Sequence, residues 1–160
     1  MDKKMKRTGI IIVMLIILGF AQYAAARDLV VVATKATQKA SLDWLSFLES
    51  KEIPVKLVTP DSFSDIKEEL YIVVIGDIKS SKEIADIAKD ALTADEVNSI
   101  QNEGKMFYKP QAWNVGQKVI LILGPDQDAV KKARMSTQEE WYEMLKEWFD
   151  IEDTEGFHVY

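Results

Sequence analysis

L-Y-I-V-V-I-G-D, residues 70–77, is the clearest strand signal in the chain. Leu70 to Ile75 is an unbroken apolar run, stopped by Gly76-Asp77. Without an apolar–polar alternation, such a run predicts a strand buried on both faces, the habit of a parallel sheet. Two other stretches share the pattern: Asp28 to Ala33 (D-L-V-V-V-A) and Lys118 to Leu123 (K-V-I-L-I-L). A shorter run, Val55 to Val58, is opened by Pro54. Between these runs the periodicity turns helical. Leu42, Leu45 and Leu48 recur three apart, joined by Trp44 and Phe47, and predict a helix over Ala40–Lys51 after a small, polar loop at Ala33–Lys39.

Turn chemistry at Thr59-Pro60-Asp61-Ser62 leads into a helical turn around Phe63 to Glu69. Ser80-Ser81 caps a helix through Ile84, Ile87 and Ala88. Thr93-x-x-Glu96 is a capping box for Ala94–Asn102, which Glu103-Gly104 ends. Asp126 suits a helix start, with Val130 and Ala133 inward. Ser136-x-x-Glu139 reads as a second box, opening a helix with Trp141, Met144, Leu145 and Trp148 on one face. Lys105 to Lys109 is a short strand, and Pro110 keeps the following residues from a central position. With the turn at Asn114-Val115-Gly116, the segment Lys105–Leu123 predicts an antiparallel hairpin at one edge. Strands that alternate with helices predict an α/β fold: a three-layer sandwich around a mostly parallel sheet, Rossmann-like or flavodoxin-like.

The start of the chain has another character. Lys3, Lys4, Lys6 and Arg7 precede the uncharged run Gly9 to Phe20, and Ala24-Ala25-Ala26 closes it before Arg27. A basic start, a short apolar stretch and small residues at a cleavage point form a secretory signal. The alternative is an uncleaved membrane anchor: Ile10 to Phe20 falls short of the ~20 apolar residues of a span, but Ala21 to Ala26 brings it close. Both place the folded part outside the cytoplasm, secreted or tethered to the outer face of the membrane. The expected organisation is residues 1–26 as signal or anchor, 27–150 as one α/β domain and 151–160 as an acidic tail.

Residues 27–160 hold 16 of the 20 Lys and Arg and 25 of the 26 Asp and Glu, a net charge of −9. Nucleic acid and anionic lipid would repel such a domain. There is no cysteine, which removes disulfides, thiol nucleophiles and a lipoprotein anchor. The single histidine, His158, lies three residues from the end and would have to serve any histidine-based metal site or Ser-His-Asp triad.

In open α/β sheets, ligands bind beyond the carboxyl ends of the strands. Thr34, Lys35 and Thr37 follow the first strand and offer a candidate anion site, and together with Asp77 and Asp126 a candidate small-ligand site; the simpler reading is capping and solvation. Neither G-x-G-x-x-G nor a Walker loop is present. Asp77, Asp126 and Asp128 form a candidate calcium set, because calcium takes several oxygen ligands. Helix capping and first-turn charge explain Asp126 and Asp128 equally. The same carboxylates would serve glycoside cleavage only within a cleft. Phe107, Tyr108 and Trp113, around Pro110, are candidates for stacking on glycans or packing on a partner, against the simpler role of closing their own core.

Ile72 to Gly76 (I-V-V-I-G), a helical stretch, Gly116, Val119 to Gly124 (V-I-L-I-L-G), Asp126 and a helix carrying Ala129 and Ala133 resemble the Rossmann-like segments of archaeal surface-layer and related cell-envelope proteins. Asp77 stands where that pattern often has a second glycine. The resemblance, over about Leu70–Ala133, implies a non-enzymatic envelope protein acting through contact with envelope proteins or with itself; it supplies no catalytic residues. Similar domains also accompany polysaccharide-processing enzymes as non-catalytic partners. The alternatives are a small-ligand or sugar-binding domain, or a hydrolase, using the strand-end loops, and a calcium-stabilised accessory domain.

Overall fold

In a computed structural model the described residues are 27–152. The segment expected to be a signal or anchor (1–26) and residues 153–160 of the expected tail, with His158, lie outside them. The elements, in chain order, are β1 (Leu29–Val32), α1 (Lys35–Ala40), α2 (Leu42–Ser50), β2 (Val55–Val58), a 3₁₀ turn (Pro60–Ser62), α3 (Phe63–Ile66), β3 (Tyr71–Asp77), α4 (Lys82–Ala91), α5 (Ala94–Ser99), β4 (Lys105–Pro110), β5 (Lys118–Gly124), α6 (Gln127–Ser136) and α7 (Gln138–Phe149).

The five strands form one sheet in the order β2-β1-β3-β5-β4. β2, β1, β3 and β5 are parallel, and β4 runs antiparallel to β5 at the edge. The expected α/β class, mostly parallel sheet and edge hairpin are all present. Pro110, which lacks an N–H, closes the edge strand opposite Lys118.

The apolar runs are continuous because both sheet faces are covered. Leu29, Val31, Tyr71, Val73, Ile75, Ile120 and Ile122 point to one side, against Trp44 and Leu48 of α2, Val130 and Ala133 of α6, and Trp141, Tyr142, Leu145 and Trp148 of α7. Their neighbours Val30, Val32, Ile72, Val74, Val119, Leu121 and Leu123 point to the other, against Phe63, Ile66, Ile84, Ile87, Ala88 and Ile100. Successive side chains of a strand face opposite ways, so each run feeds two cores. Aromatic rings lock the first core: Trp44 meets Trp141 edge-on at 5.6 Å, and Tyr71 stacks on Trp148 at 5.5 Å.

Three local expectations differ from the structure, one being the helix expected over Ala94–Asn102, which ends at Ser99. The stretch Ala33–Lys39 is not all loop: Thr34 accepts the Thr37 N–H and caps α1, and the helix then breaks at Ser41 before α2. The box at Ser136 does not form. Ser136 belongs to α6, and the hydroxyls of Ser136 and Thr137 both donate to the Ala133 carbonyl, so neither caps α7. The box at Thr93 and Glu96 is complete.

Candidate functional site: the carboxyl ends of β1, β3 and β5

The order β2-β1-β3 places a switch point between β1 and β3, since the chain leaves β1 to one side and returns on the other. Thr34 and Thr37 follow β1 there, and Asp77 ends β3. The structure brings these three predicted residues together through a fourth, Gln127, the first residue of α6. Its Nε2 donates to Thr37 Oγ1 at 2.9 Å and to Asp77 Oδ2 at 2.6 Å. The Thr34 and Thr37 hydroxyls share a hydrogen bond of 2.9 Å. Asp77 Oδ1 accepts the Ser80 N–H at 2.7 Å and the Ser80 hydroxyl. Asp77 is 3% exposed and Thr37 1%.

Burial works against the charge on Asp77. The hydrogen bonds from Ser80 and Gln127 more than offset it and hold the carboxyl below its ordinary value. The carboxylate is thus ionised, buried and internally satisfied. This is the chemistry of a structural tie: it pins the β3–α4 turn and the start of α6 to the loop after β1.

The remaining candidates lie apart from this tie. Lys35 is exposed at the first position of α1. Asp126 accepts the Ala129 N–H at 2.8 Å as the cap of α6, and Asp128 sits in the first turn of that helix. Among the described residues, no three acidic or histidine side chains gather so as to hold a metal ion. The calcium set is therefore not assembled, because capping turns Asp126 to its own helix while Asp77 faces Ser80 and Gln127.

The aromatic candidates divide. Trp113 meets Phe63 at 4.9 Å and its Nε1 donates to Asp90 at 2.8 Å; Phe107 packs on the second core. Only Tyr108 is exposed, at 39%, tilted over Trp148. Two buried or bridging glutamines carry contacts that the sequence reading passes over. One is Gln127. The other is Gln117, which is 1% exposed and donates to the carbonyls of Lys67 and Glu69 at 2.9 and 2.8 Å. Glutamine belongs to no spacing motif, so no local signal marks either one.

Fold and site together define a mostly parallel three-layer α/β protein whose strand-end polar groups are bonded to one another. Comparison with protein-family models, curated proteins and solved structures gives no match. No helix among the described residues is long and apolar enough to cross a membrane.

Proposed function

We propose that the chain is an exported, non-enzymatic envelope or surface protein that works through protein–protein contact. The observation that carries the non-enzymatic part is the closed set Thr34–Thr37–Gln127–Asp77. Ligands of this fold class approach at the switch point, and here the polar groups at that point already have partners. The basic, apolar and small-residue segments of residues 1–27 support export.

The test is intact mass and fractionation of the native protein, with cross-linking in intact cells. The expected chain begins at Arg27, or at Met1 if tethered, sits outside the cytoplasm and cross-links to envelope proteins or to itself. Recovery from the cytoplasm as an isolated monomer overturns the proposal.

A second reading, an extracytoplasmic small-ligand or sugar-binding domain or a hydrolase, draws on the convergence of Thr34, Thr37 and Asp77. It requires the Gln127 bridge to open for the ligand. A sugar or anion that raises the melting temperature of the wild type but not of Thr37→Val would favour it.

A further inference from the structure

The two edges of the sheet are protected unequally. β4 ends in Pro110, and its lysines are engaged: Lys105 with Glu103 at 2.9 Å and Lys109 with Glu96 at 2.6 Å. Proline and paired charges of this kind blunt a strand edge. β2 is the opposite edge and, among the described residues, pairs only with β1. The carbonyls of Pro54 and Val58 accept the N–H groups of Leu29 and Ala33, at 2.7 and 3.0 Å. Backbone groups alternate in direction along a strand, so the N–H and C=O groups of Val55 and Leu57 face outward.

The side chains of Val55 and Leu57 stand on the α2 side of the sheet. There, with Leu42, Leu45 and Glu49 of α2 and Ile53, they line a groove of about 430 Å³. Leu42 is 58% exposed and Leu57 46%. Outward ladder groups and an apolar groove thus lie along one edge, the arrangement by which an extended peptide adds a strand.

Charge selects the occupant. Glu49 is exposed in the groove wall, and Glu52, Asp61 and Glu68 are exposed on the segments flanking β2. Among the described residues, no ion pair joins any of these four. The nearby Lys56, Lys67 and Arg134 are engaged with Glu69, Asp90 and Asp43. A second copy would bring the same acids together on a chain already carrying −9 over residues 27–160. We propose that the free edge of β2 and the α2 groove bind an extended segment of a partner protein, with alternate apolar side chains and a lysine or arginine at the end that meets Glu49. The inference rests on the contact function proposed above and names its surface.

The test uses the full-length chain and two synthetic peptides. One alternates valine with threonine and carries a terminal lysine; the other carries glutamate in its place. Amide shifts are read by NMR, and affinity by titration. The expected result is binding of the lysine peptide, with shifts at Leu42, Glu49, Val55 and Leu57. Leu57→Lys and Glu49→Lys, both at exposed positions, should each weaken it about tenfold or more. Both variants should keep the wild-type far-UV spectrum and denaturation midpoint, which separates lost binding from lost folding. No binding, equal binding of the glutamate peptide, or binding unchanged in both variants overturns the proposal. So does a dimer in solution that Leu57→Lys abolishes, which would make a second copy the occupant. A photo-cross-linker at Leu57 separates the two levels. Envelope cross-links through another face alone defeat this surface and spare the function; a cytoplasmic chain with no cross-links defeats the function.

Discussion

Gln127 is the uncharged residue that joins the strand-end loops. One amide nitrogen serves both Thr37 and Asp77. In Gln127→Ala, Asp77 Oδ2 would lose its donor while remaining buried, and an unsatisfied buried acceptor costs about 1–3 kcal/mol. Urea unfolding should show that loss. Asp77 itself sets a pH dependence. Its folded pKa is lowered from the ordinary 3.8, so its contribution is complete above that value and disappears as the pH falls through it and then through the lower folded value. Asp77→Asn should therefore show a shallower fall in stability than the wild type as the pH drops from about 5 to about 2. Denaturation midpoints across that range would check it; parallel curves would refute it. The aspartates were legible in the sequence because they sit where strands end and helices start. Gln127 and Gln117 were not, since a hydrogen bond made 50 residues away in sequence leaves no local pattern.

At the scale of elements, the same residue types play opposite parts. Thr93 accepts from Glu96 and starts a helix, whereas Ser136 and Thr137 donate backward and finish one. Spacing alone does not distinguish the two, because the carbonyl that wins Ser136 belongs to the preceding helix. Gly104 is a second case. Its place after a capping-box helix reads as a helix stop, yet α5 has already ended at Ser99. The strict need for glycine comes from α6: a Cβ on residue 104 would lie 2.1 Å from the Ala129 carbonyl oxygen. Gly104→Ala forces β4 and α6 apart and should cost about 3 kcal/mol, the upper end for overpacking. A thermal midpoint within error of the wild type would contradict this. The ion pair of Arg134 with Asp43 also joins elements, tying α6 to α2 at 2.8 Å. Burial opposes the charge on Asp43, but the guanidinium outweighs it and keeps the carboxyl below its usual range.

For the whole molecule, the three apolar runs around residues 29–33, 70–75 and 118–123 were enough to read the fold class, because only a sheet covered on both faces makes use of them. Strand order lay beyond the sequence, since every parallel neighbour of β1 or β3 would look equally apolar. The calcium expectation has its test at this scale. With Asp77 and Asp126 committed to different elements, millimolar calcium and chelator should give the same melting temperature; a shift of several degrees would speak for a cation site. The order β2-β1-β3-β5-β4 has a kinetic consequence as well. β5 is an interior strand of the sheet but arrives late in the chain. A ribosome delivers β1, β2 and β3 first, and roughly forty residues then separate Asp77 from Lys118. At ~5–20 residues per second, the bare flank of β3 waits about 2–8 s for its neighbour. During that interval Tyr71–Ile75 is an open, apolar template, so the nascent chain is exposed to misassembly at the strand that later becomes fully buried.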